Sequence, residues 1–95
     1  MSYAIYWSEG EVGPRYAGRL ELSDSTLELS GSALGRRLID SISFDDIASV
    51  WLSAGNLRVS RRNGAVLDVG SVDGPGSLRE LGDCLALELR ERGSA

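Results

Sequence analysis

The sequence predicts a mainly β domain of the α+β class, in which a meandering antiparallel sheet is followed by one C-terminal amphipathic helix. Three observations carry this. From Tyr3 to Gly70 the apolar residues recur mainly with period two, and the runs they form are short and separated by Gly, Ser, Asp and Asn. After Gly70 the period changes to 3.6. A chain of 95 residues buries roughly 60–65% of its extended-chain surface. That suffices for one core, so 1–95 is expected to be a single domain.

The first run, Tyr3-Ala4-Ile5-Tyr6-Trp7, is followed by a turn-rich stretch from Glu9 to Pro14 and then by Tyr16, Gly18, Leu20 and Leu22 on one face. This is a candidate hairpin. A four-residue loop Ser23-Asp24-Ser25-Thr26 sets Leu22 opposite Leu27 and Leu20 opposite Leu29, keeping both pairs on one face; a three-residue loop would oppose Leu27 to Glu21. Gly31 to Gly35 reads as a break before the extended run Leu38–Phe44. Asp40 shares the parity of Leu38, Ile42 and Phe44, which places the start of the regular strand after it. Ile47 and Val50 both look core-facing yet lie three apart, which implies a bulge or short turn.

Asn63-Gly64 invites a two-residue type I′ turn, but that register pairs Val59 with Asp68 and scrambles the faces. A three-residue loop, Arg62-Asn63-Gly64 with Gly64 left-handed, pairs Leu57 with Val69 and Val59 with Leu67. It also sets Arg58 opposite Asp68 as an exposed outer-face pair worth ~0.2–1 kcal/mol. Beyond Pro75-Gly76, Ser77 reads as a helix cap with Glu80 completing a capping box, and the helix is expected over about 77–92. Leu78, Leu81, Leu85 and Leu89 form its stripe, and Gly93 is the stop signal.

Composition excludes more than it assigns. Histidine, lysine and glutamine are absent and all ten basic residues are arginine. Imidazole-dependent nucleophiles, Schiff-base lysines and phosphate-loop lysines therefore have no residue to carry them. The single Cys84 cannot form an intramolecular disulfide and reads as a small packed hydrophobe in a reducing compartment. Residues 1–5 lack the basic start and apolar run of a signal peptide, so the expected location is cytoplasmic. A net charge of −4 disfavours nucleic acid and anionic membranes as partners.

The segments Ala17–Leu22, Leu27–Leu29, Ile42–Val50, Leu57–Val59, Asn63-Gly64 and the terminal helix together resemble pleckstrin-homology-like (PH-like) domains of the bacterial and GRAM type. The likeness lies in the order: a strand pair, a hydrophobic-aromatic-acid-acid-Ile segment entering a strand, a hairpin, and a closing helix. It implies a strongly bent sheet, or split barrel, of about seven strands in two near-orthogonal halves, with the helix plugging one end. Lipid-binding members hold inositol phosphates with Lys and Arg of the first inter-strand loop. The corresponding segment here, Ser8–Arg15, has two acids and one terminal arginine, and the tryptophan common in the family's last helix is missing.

Several residues are candidate sites. Arg58, Arg61 and Arg62 place three positive charges within five residues, readable as a solvated hairpin end or as an anion or partner contact. Asp45 and Asp46 could form a carboxylate pair but fit ordinary turn chemistry better. Gly70, Gly74, Gly76 and Ser77 lack the lysine of a phosphate loop and read as a helix-capping loop. Trp51 and Leu87 point away from the predicted core faces and are candidate interface anchors. The expected function is a non-enzymatic protein-interaction or self-association module, by default a homodimer with a higher ring as the alternative. Membrane or lipid-head-group binding is second and an enzyme third. No catalytic or metal residues, cofactor or small-molecule substrate are predicted.

Overall fold

Seven strands and one helix follow each other along the chain: β1 (Ser2–Glu9), β2 (Tyr16–Leu22), β3 (Thr26–Ala33), β4 (Arg36–Ser43), β5 (Ile47–Ser53), β6 (Asn56–Arg61), β7 (Val66–Ser71) and α1 (Pro75–Glu91). A 3-10 turn, Phe44–Asp46, precedes β5. The computed structural model describes residues 2–10, 13–72 and 74–91. All seven strands belong to one antiparallel sheet ordered β4-β3-β2-β1-β7-β6-β5, which does not close into a barrel. The mainly β class, the seven strands and the single helix are as expected.

The sheet is bent over its own inner face. Helix α1 packs chiefly on β5, β6 and β7, yet Leu20, Leu27 and Leu29 of β2 and β3 are fully buried. Those leucines lie up to four strand steps from Val59, about 19 Å along a flat sheet, and still share one core cluster with it. Only curvature brings the two halves together over one core. The α1 contribution is Leu78, Leu81 and Leu85, each buried and each worth about 1.5–3 kcal/mol.

Local chemistry sets the registers. Leu22 opposes Leu27 and Leu20 opposes Leu29 across the four-residue loop, which is closed by the Ser23 N–H donating to Thr26 O at 2.9 Å. Gly64 has φ +94, and Leu57↔Val69 and Val59↔Leu67 are paired. The three-residue loop is correct because it alone keeps the apolar residues of β6 and β7 on one face. At the β4–β5 junction both anticipated devices occur together. Ser43 Oγ accepts from the Asp45 N–H at 3.3 Å to start the 3-10 turn, and a bulge between Ile47 and Ser49 resets the phase.

Three boundaries differ from expectation. The break at Gly31–Gly35 shrinks to a two-residue turn, Leu34-Gly35, with φ +52 and +77, because β3 pairs with β4 as far as Ala33↔Arg36. Accordingly β4 begins at Arg36, and Asp40 sits inside it opposite Leu29. The helix begins at Pro75 rather than Ser77. Proline's fixed φ and missing N–H suit the first helical position, so Ser77 falls inside the first turn. The Ser71 hydroxyl accepts from the Gly74 N–H at 3.1 Å in the approach to the helix. Glu80 does not serve a capping box: its Oε1 accepts from the Tyr3 hydroxyl at 3.3 Å. Arg92 and the stop signal Gly93 lie outside the described residues, as does Glu11 in the first loop.

Two glycines mark where an aromatic ring crosses the sheet. A Cβ on Gly31 would come within 2.7 Å of Trp7 Cη2, so the ring needs that bare backbone. Trp7 is thereby buried and stacks on Tyr16 with ring centroids 5.4 Å apart. On the opposite face, Tyr6 lies over Gly70, where any Cβ would overlap its ring. The Arg15 guanidinium covers that tyrosine at 4.9 Å, which engages the basic end of the first loop with an aromatic face.

Candidate interaction site

Strand alternation builds the outer face of β5–β7. Val50 and Leu52 oppose Val59 and Leu57 on the inner side, which turns Trp51 outward opposite Arg58, and Arg58 in turn opposite Asp68. These three residues line a cleft of about 520 Å³, rimmed by Glu9, Gly10 and Gly64. Trp51 is 42% exposed, a large aromatic left half in water on a sheet face. Leu52 is exposed as well, although it shares the inner parity.

The expected Arg58–Asp68 ion pair does not form. The register is as predicted, but Arg58 Nε and Asp68 Oδ1 are both shielded from solvent without a hydrogen-bond partner. Adjacent strands set the backbone opposition and leave the side-chain rotamers free, so opposition alone does not create a bond. The floor of the cleft thus holds a shielded cationic donor and a shielded anionic acceptor that do not satisfy each other.

The arginine triad is dispersed. Arg58 points outward, whereas Arg61 has the inner parity of β6 and its Nη1 meets Glu9 Oε1 at 3.4 Å. Arg62 lies in the loop, where its Nε donates to Asp45 O at 2.7 Å and its N–H donates to Asp46 O at 2.7 Å. Two of the three cations therefore fasten the β6–β7 hairpin to neighbouring elements. Glu9 as a partner was hidden in the sequence because it depends on β1 pairing with β7, 58 residues later at Glu9↔Leu67.

Leu87 is 53% exposed and flanks a separate hollow with Leu22, Phe44 and Cys84, sharing no lining residue with the Trp51 cleft. The two proposed anchors are not brought together. Cys84 is partly buried on the helix, near Tyr3. Burial, with the Glu80 carboxylate next in effect, pushes the Tyr3 hydroxyl up to about 12. Among the described residues, no three His, Cys, Asp or Glu side chains group closely enough to hold a metal ion. Nor is any helix among them long and apolar enough to cross a membrane.

No protein-family model and no curated protein matches the chain. Among solved structures it is similar to the C-terminal domain of an unknown protein from Leishmania infantum. The TM-score is 0.63 at 15% identity, over 90% of this chain and 82% of that one. At that identity the likeness carries the arrangement of strands and helix and nothing about activity.

Proposed function

We propose that the chain is a PH-like module without catalytic activity whose work is protein contact, a second copy of itself included. The observation that carries this reading is the open sheet. Among the described residues, β4 and β5 each pair on one side alone, and each bears a large apolar residue in solvent, Ile39 on β4 and Trp51 on β5. Unpaired edges with exposed apolar side chains are templates for another chain. The cleft beside Trp51 adds a concave surface with two unsatisfied polar atoms on its floor, suited to a protein side chain that brings its own donor and acceptor. Seven strands in this order and a C-terminal helix support the PH-like assignment.

Light scattering of the full chain across a concentration series tests the reading. The expected mass is a multiple of 10.2 kDa, by default twice that value. A chain still monomeric at ~100 μM, where a contact weaker than about 5.5 kcal/mol stays dissociated, would overturn self-association. Within the series, Trp51→Ser and Leu87→Glu ask whether β5 or the outer side of α1 holds the copies together.

A further inference from the structure

We infer that two copies of this chain join through the free edge of β4, antiparallel and centred on Leu38, so that Arg36 of each copy faces Asp40 of the other. The inference rests on the self-association reading above and names its geometry.

Asp40 lies opposite Leu29 on the inner face of β4, between Leu38 and Ile42, and forms no ion pair among the described residues. A carboxylate among apolar residues at the edge of a core breaks the local pattern without an internal compensation. Arg36 shares that face at the turn end of the strand, exposed and likewise without an ion pair. On the outer face Ile39 is 76% exposed.

The β3–β4 turn decides which backbone groups are free. Leu34 and Gly35 both have positive φ, the mark of a type I′ turn, which makes Ala33↔Arg36 a hydrogen-bonded pair. Alternation along the strand then directs Leu38, Asp40 and Ile42 toward β3, and turns the N–H and C=O of Arg37 and Ile39 outward. A second β4 running antiparallel across a two-fold axis must keep inner faces together, so the axis passes through a residue and not between two.

Few centres exist, and charge separates them. An axis at Arg37 opposes the two Arg37 side chains, and one at Asp40 opposes two carboxylates. An axis at Ile39 sets Asp40 against Leu38 and Arg36 against Ile42. With the axis at Leu38, the two Leu38 side chains meet, Arg37 and Ile39 exchange their outward hydrogen bonds, and Arg36↔Asp40 forms twice. That register alone pairs both charges and covers Ile39 with the aliphatic stem of Arg37.

A charge-swap mixture provides the test, with association measured by light scattering or sedimentation on full-length chains. The Arg36→Asp chain carries two acids at the contact and the Asp40→Arg chain two arginines. Each alone should dissociate at least tenfold more readily than the parent, and mixing them in equal amounts should restore the parent mass. Ile39→Pro removes an outward N–H that the monomer does not use, and should give a monomer with unchanged circular dichroism. A parent that is monomeric overturns both this contact and the reading it rests on. A dimeric parent that ignores the charge variants, or that Trp51→Ser dissociates, overturns the β4 contact and leaves self-association standing. Tighter association of Asp40→Asn than of the parent overturns it as well, because Asp40 would then hold copies apart.

Discussion

Tyr3 connects the first strand to the helix through a single phenol. Its hydroxyl donates to Glu80 in a site where burial and the nearby carboxylate both penalise the phenolate. The folded pKa of about 12 lies above the ordinary 10.0, so the fold retains a proton that the unfolded chain releases first. The corresponding stability is whole below pH 10 and is lost as pH rises from 10 toward 12. Denaturant titrations across that range should show the parent weakening and Tyr3→Phe weakening less. At neutral pH the same variant should be destabilised by about 1 kcal/mol for the lost hydrogen bond. Equal alkaline slopes for the two proteins would remove Tyr3 from the account.

Among the elements, the hairpins separate what a sequence discloses from what it hides. The β6–β7 register was legible because a single parity choice keeps Leu57, Val59, Leu67 and Val69 together and Gly64 supplies the left-handed position. The β3–β4 turn was hidden because its first residue, Leu34, takes φ +52 without any glycine or asparagine signal at that position. Asp40 misled for a related reason: its polar identity on an apolar parity looked like a strand boundary, whereas it is an interior position of an edge strand. Trp51 facing outward was readable from alternation, but the failure of Arg58 to bond Asp68 depends on rotamers that no spacing encodes. Leu34 also yields a prediction. A leucine held left-handed costs about 1–2 kcal/mol, and at 94% exposure it recovers nothing by packing. Leu34→Asn should therefore raise stability by about 0.5–1 kcal/mol in thermal unfolding, whereas an unchanged or lower midpoint would show that the tip conformation is not strained.

At the scale of the whole molecule, the pairing of β1 with β7 matters most, since it joins the two hairpin sets into one sheet and leaves β4 and β5 as its ends. The same long-range pairing decides the electrostatics. By bringing Glu9 against Arg61 it neutralises one cation of the Arg58, Arg61 and Arg62 cluster, while Arg62 is turned onto a backbone carbonyl and Arg15 onto Tyr6. With net charge −4, the summed charge of the protein opposes its concentration on an anionic bilayer, where each basic residue would contribute only about 1 kcal/mol near the surface. Vesicles rich in phosphatidylserine or inositides should therefore leave the protein in the supernatant at physiological salt. Lowering the salt should not change this, because the screening length grows for the repulsive acids as much as for the arginines. Co-sedimentation that is lost on adding salt and also lost on changing Arg58, Arg61 and Arg62 to alanine would mean that Arg61 and Arg62 leave Glu9 and the Asp45 carbonyl for lipid. The open face of β5–β7 would then be a membrane surface in place of a protein contact.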